Sequence, residues 1–185
     1  MINELIQQRM LVFNDKTFLN SINEFVKQLG TIIAKIKGKN KIFICGNGGS
    51  SSQASHFATE LMVKYADRRN DYFALSLSSD TSVITAISND FKYEKIFAMQ
   101  LENLAMSGDI LIVFSTSGKS ENINYALRKA SEMGLYSFAL LGNNGGESVN
   151  IAKTSLIVPS NDIAIIQEFH LMVLHMICDY LEKKG

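Results

Sequence analysis

At 185 residues, with 46% apolar and 19% charged side chains, the chain has the size and make-up of one globular domain with a substantial core. Lys plus Arg and Asp plus Glu balance at 18 each, so no basic surplus points to nucleic acid or an anionic membrane. No uninterrupted apolar run approaches a membrane span, and the opening MINELIQQRMLVFND lacks a signal-peptide core, so a cytoplasmic protein is expected.

Residues 2–13 and 17–37 read as two helices. In the second, Phe18, Ile22, Phe25, Val26, Leu29, Ile32, Ile33 and Ile36 recur at helical spacing. That stripe is wide enough to serve either the chain's own core or a neighbouring subunit. A short apolar run, 42–45, then predicts a buried strand, followed by the cluster Gly46-Asn47-Gly48-Gly49. Ser50, Ser51 and Ser52 offer N-caps for a helix running to Leu61. A second strand is expected at 72–77, with helices at 81–88 and 93–106 separated by Asn89-Asp90. Strands at 109–114, 135–141 and 154–158, a helix ending near Met133 and a last helix at 162–183 complete the chain. Cys45 and Cys178 lie outside any CxxC motif and read as buried free thiols.

Continuous apolar strands alternating with helices indicate a parallel sheet covered on both faces, the α/β class. No composition shift splits it. The expectation is one domain over 1–185, with N-terminal helices (1–38) ahead of an α/β core (39–185). Ligands bind such sheets beyond the carboxyl ends of the strands. Three small-residue loops fall there: GNGGSSS, STSGKS and GNNGG.

Strand, glycine turn and helix start form a ready anion site, because unpaired backbone N–H groups converge there. Gly46-x-Gly48-x-x-Ser51 approaches the dinucleotide fingerprint but has serine in place of its third glycine, which argues against NAD. His56 and Glu60, four residues apart, share one helix face, as a ligand set or as a surface hydrogen-bonded pair. STSGKS holds four hydroxyls where an N-cap needs one, which favours a phosphate site over simple capping. Lys119 within it could add charge or remain solvated. The last helix is apolar almost all round, so its Gln167, His170 and His175 need partners. Gln167 and His175 lie within about 80° of each other and about 12 Å apart along the axis. Either could be a ligand or a satisfied core residue.

The motifs CGNGGSSSQASHFATEL, ISNDF, STSGKSEN, GNNGG and IQEFHLMVLH stand in one order over nearly the whole chain. Together they resemble the sugar isomerase (SIS) domain family, and within it the enzymes that act on seven-carbon sugar phosphates. The resemblance implies a three-layer α/β/α fold with a five-stranded parallel sheet in flavodoxin-like order. It implies ketose–aldose isomerisation of D-sedoheptulose 7-phosphate to D-glycero-D-manno-heptose 7-phosphate, a step toward surface polysaccharide. By the same resemblance, His56, Glu60, Gln167 and His175 correspond to ligands of one Zn²⁺ per subunit, and Glu60 and His175 to the acid/base pair. Asn47, Gly48, Gly49, Glu60, Asn89, Asp90, Ser115, Thr116, Ser117, Ser120 and Gln167 correspond to substrate contacts. A homotetramer with active sites shared between subunits is implied. Lys64 departs from some relatives, which carry arginine there; lysine keeps the charge and loses the bidentate fork. The rival reading is a non-catalytic SIS-domain protein that binds a replication initiator or senses a sugar phosphate.

Overall fold

The computed structural model describes residues 1–36, 38–66, 68–69 and 72–184. In chain order the elements are helices α1 (Ile2–Phe13) and α2 (Lys16–Ile36), strand β1 (Lys41–Gly46) and helix α3 (Gly49–Met62). A small antiparallel ribbon follows, β2 (Lys64–Tyr65) against β3 (Arg68–Arg69). Next come β4 (Phe73–Ser76), α4 (Thr81–Asp90), a 3₁₀ turn (Tyr93–Lys95) and α5 (Ala98–Leu104). The chain continues with β5 (Ile110–Ser115), α6 (Glu121–Glu132), β6 (Tyr136–Leu141), α7 (Ser148–Ile151), β7 (Thr154–Ile157) and α8 (Ile163–Lys184).

Local chemistry sets the helix starts. Asp80 accepts the backbone N–H groups of Ser82 and Val83 at the start of α4. Asp162 does the same for Ala164 and Ile165 at α8, and the Asp15 carboxylate accepts Phe18 N–H in the first turn of α2.

The strands form one parallel sheet of order β4-β1-β5-β6-β7, which is the flavodoxin-like arrangement once the ribbon is set aside. Period-2 alternation sorts its side chains into two cores. Ile42, Ile44, Ile112, Phe114 and Leu140 face α2, α3 and α8. Phe43, Cys45, Leu111, Val113 and Leu141 face α5 and α6. This is the expected three-layer architecture. Leu29 and Ile33 of α2 are completely buried, and truncating either to alanine would cost about 2–5 kcal/mol.

The apolar stripe of α2 packs largely inside the chain, against α8 and β7, with Ile32 only partly covered. Exposed apolar residues lie on α1, where Ile2, Leu5, Ile6, Met10, Leu11 and Phe13 are all solvent-facing. Lys37, expected to close the second helix, lies outside the described residues. Asn89 and Asp90 do not break a helix; they form the last turn of α4. The expected helix over 93–106 divides into the 3₁₀ turn and α5, with the buried Ile96 and Phe97 at the junction. The ribbon and the four-residue α7 carry too few residues for any periodicity. Length and composition alone would let Ile163–Lys183 of α8 cross a membrane, contrary to the sequence reading; here the helix packs against α2 and α3.

Candidate functional site

All three small-residue loops emerge at the carboxyl edge of the parallel sheet, after β1, β5 and β6. Gly48 takes φ +54 and caps α3 without any side-chain bond, so the expected serine caps are not used. Ser50 to Ser52 lie instead within the first turn, where Ser51 Oγ donates to Gly48 carbonyl at 2.8 Å.

Three of the expected ligands meet where α3 passes α8. His56 Nε2 lies 3.1 Å from His175 Nε2 and 3.4 Å from Glu60 Oε1. The two rings meet edge to face, and Tyr65 stacks on His175 with centroids 6.2 Å apart. The Tyr65 hydroxyl donates to Asp179 at 2.9 Å, one helical turn beyond His175. Desolvation, then that bond to a carboxylate, pushes the phenol up to about 12, so Tyr65 is a neutral donor and a wall of the site. Gln167 sits two turns up α8, with its amide packed over the backbone of Gly49. A β-carbon at Gly49 would come within 2.6 Å of Gln167 Nε2, so only glycine leaves the amide its present place. Gln53 Nε2 donates to the Gln167 carbonyl at 2.6 Å and fixes that turn of α8 against α3.

Among the described residues no group of three His, Cys, Asp or Glu side chains is arranged to hold a metal ion as it stands. The donors nevertheless suit zinc. Tetrahedral zinc with bonds near 2.0–2.1 Å separates its ligand atoms by about 3.3–3.4 Å. The 3.1 and 3.4 Å separations around His56 Nε2 lie close to that edge length.

The hydroxyl loop has a second geometry. Ser115 Oγ accepts the Gly118 N–H at 3.1 Å, and Ser117 Oγ accepts the Lys119 N–H at 3.2 Å. With these oxygens used as acceptors, the hydroxyl protons remain available to donate outward. Ser120 caps α6 by position and makes no side-chain cap bond. Ser115, Thr116 and Ser120 line one side of a cleft of about 50 Å³, facing Asn47 and Ser50. Lys119 is exposed.

The GNNGG loop braces this cradle from behind. Asn143, at φ +54, donates from Nδ2 to the Thr116 carbonyl, and Ser148 N–H donates to the Gly118 carbonyl. Asn89 and Asp90 are exposed, bonded to each other at 2.8 Å, and do not line the cleft. Lys64 is exposed at the start of the ribbon. His170 points away from the site: it is fully buried against Phe114, and its Nε2 donates to the Leu141 carbonyl at 3.1 Å.

Sequence reasoning did not single out Tyr65, Asn122, Tyr93 or Gln53. The spacing His175–Asp179 on one helix face could have pointed to a partner group. Nothing in the sequence announces that Asn122 reaches Asn47, 75 residues away.

Residues 15–142 match the SIS domain family. Phosphoheptose isomerase of Helicobacter pylori strain P12 is 44% identical over 186 residues, covering 99% of this chain and 97% of that one. The phosphoheptose isomerase of Clostridium acetobutylicum is 39% identical over 99% of this chain and 92% of its own. Among solved structures, a phosphoheptose isomerase from Francisella tularensis superposes with TM-score 0.87 at 32% identity, covering 98% of this chain and 96% of that one. The phosphoheptose isomerase of Neisseria gonorrhoeae superposes with TM-score 0.88 at 31% identity, over 98% and 97%. On sequence, fold and full-length coverage, the chain belongs to the SIS domain family and, within it, to the phosphoheptose isomerases.

Proposed function

We propose that the protein interconverts D-sedoheptulose 7-phosphate and D-glycero-D-manno-heptose 7-phosphate, using Glu60 and His175 to move protons. The observation that carries this reading is the contact chain Glu60–His56–His175 between α3 and α8, in a chain that also forms a hydroxyl-lined cleft at the carboxyl edge of the sheet.

Ketose-to-aldose conversion moves a proton between C1 and C2 through an enediol-like species. It needs a base over the carbon, a donor near the oxygen and stabilisation of the oxyanion. Glu60 offers an oxygen for the first role and His175 an imidazole for the second. Ser115, Thr116, Ser117 and Ser120, with the N-terminus of α6, hold the remote phosphate and so fix the open-chain sugar for reaction. Asn47, Gly48 and Gly49 cover the carbons near the reacting end; Asn89 and Asp90, which lie off the cleft of a single chain, would contact the sugar in a site shared between subunits. His56, Glu60, Gln167 and His175 would hold zinc, which when bound supplies positive charge for the developing oxyanion.

The working form is a homotetramer with active sites shared between subunits, acting in the cytoplasm. Its product feeds surface-polysaccharide precursors. The test is conversion of sedoheptulose 7-phosphate by the purified protein, with and without chelator. Turnover that chelation slows and zinc restores supports the reading. Sugar-phosphate binding without turnover would instead make it a non-catalytic SIS domain.

A further inference from the structure

The side chain of Asn47 is held by two residues to which the function above gives no role. Asn47 Nδ2 donates to Asn122 Oδ1 at 2.9 Å, and Asn122 Nδ2 donates back to Asn47 Oδ1 at 2.8 Å. Asn122 is 2% exposed, in the first turn of α6, directly after the hydroxyl loop. Its Oδ1 also accepts the Ile123 N–H at 3.0 Å. A backbone N–H can only donate, so that contact fixes which end of the Asn122 amide is oxygen. Reciprocity then fixes Asn47. The Tyr93 hydroxyl donates to the same Asn47 Oδ1 at 3.1 Å. Both lone pairs of that oxygen are thereby filled, leaving Asn47 one free N–H.

A second asparagine locks the other side of α6. Asn124, also 2% exposed, accepts from Ser148 Oγ at 2.6 Å and donates to Glu147 at 3.1 Å, tying α6 to the start of α7. The first turn of α6 is therefore a fixed reference from which the glycine loop is set.

We propose that Asn122 and Tyr93 are positioning residues for Asn47: they clamp the glycine loop to the start of α6 and leave Asn47 a single N–H donor for a sugar oxygen. The proposal rests on the isomerase reading, since it takes the hydroxyl loop as the phosphate end and the glycine loop as the sugar end. The clamp then sets the separation of the two ends of an extended substrate, which governs reactivity more than phosphate affinity.

The test is kinetics on sedoheptulose 7-phosphate for wild type, Asn122→Ala, Tyr93→Phe, Asn47→Ala and the Asn47→Ala/Asn122→Ala double variant, with inorganic phosphate as inhibitor. Asn122→Ala should lower kcat/KM by about 10-fold and Tyr93→Phe by about 3-fold, while the inhibition constant for phosphate stays within about 2-fold. The double variant should lose no more than Asn47→Ala alone, because both changes break one unit. Multiplying losses, or a phosphate constant that rises in step, would reduce Asn122 to a stability role and overturn the proposal. Tyr93 is half exposed, so its loss of one hydroxyl reports on the clamp even where Asn122→Ala folds poorly. Amide hydrogen exchange across residues 48–52, faster in Asn122→Ala, reads the clamp independently of turnover. Unchanged exchange there overturns the clamp. A wild type that turns over no heptose phosphate overturns the isomerase reading instead.

Discussion

His56 and His175 face each other through their Nε2 atoms at 3.1 Å, with Glu60 3.4 Å from the same His56 nitrogen. One of the two ring nitrogens must be bare for the other to donate, so the contact accepts a single proton or a cation between them. This arrangement separates the roles of the residues. Glu60→Gln keeps size and a possible oxygen ligand but removes the base. Its kcat should fall by at least ~10²-fold, with zinc binding largely retained. His175→Gln should fall comparably and also lose zinc affinity. Steady-state kinetics with metal analysis checks both, and near-normal turnover in Glu60→Gln would move the base elsewhere.

His170 is a core residue with a pH signature. Burial, opposed by its bond to the Leu141 carbonyl, lowers it to about 4 from its ordinary value near 6.5. The unfolded chain therefore takes up a proton between about pH 6.5 and pH 4 that the folded chain refuses. This contribution to stability is complete above about pH 6.5, falls as pH drops through that window, and levels off below about 4. Between pH 7 and pH 5 it should amount to about 2 kcal/mol. His170→Gln removes the titration. Its stability should be lower at pH 7, where the Leu141 bond is disturbed, and its decline toward pH 5 should be shallower than wild type, with kcat little changed. Urea unfolding at the two pH values measures this. Equal pH slopes in the two proteins would contradict it.

Much of this molecule was legible because its signals are local. Continuous apolar strands such as Ile110–Ser115 can only be buried on both faces, and glycine- and serine-rich loops after β1, β5 and β6 mark the sheet's binding edge. His56 and Glu60 were readable together because one helical turn separates them. What was not legible depends on packing between distant segments. Apolar spacing alone did not decide that most of the α2 stripe packs against α8. The reciprocal amides of Asn47 and Asn122 join residues with no sequence relation. The division of 93–106 follows from burying Ile96 and Phe97, a tertiary demand that overrides a helical pattern.

The exposed apolar face of α1 bears on assembly. Arg9 pairs with Glu168 at 2.7 Å and Phe13 lies against Phe169, so the helix is anchored to α8 while Leu5 and Leu11 stay outside. If the tetramer covers this face, Leu5→Glu with Leu11→Glu should dissociate it with little effect on the fold of each chain. Light scattering at micromolar concentration should then show a 20.6 kDa monomer in place of a larger wild-type species. A wild type that is monomeric and active would end the tetramer reading.

Gly49→Ala separates site chemistry from stability most cleanly. Gly49 is the first residue of α3, where alanine is the better helix former by up to about 1 kcal/mol. Its added β-carbon would lie 2.6 Å from Gln167 Nε2 and 2.9 Å from Oε1, which are the far end of a flexible side chain. The fold can yield there by turning the Gln167 amide aside. Gly118→Ala is the contrast: Gly118 has φ +62, and its β-carbon would meet the Gly145 carbonyl oxygen, a backbone atom that cannot turn aside. Gly118→Ala should therefore cost several kcal/mol of stability. Gly49→Ala should keep a wild-type melting temperature within a few degrees, yet bind zinc ~10-fold or more weakly and turn over correspondingly slowly at limiting metal. Thermal melts and a competitive zinc-chelator titration on the two variants decide the matter. Wild-type zinc affinity in Gly49→Ala would remove Gln167 from the ligand set and leave His56, Glu60 and His175 to hold the metal alone.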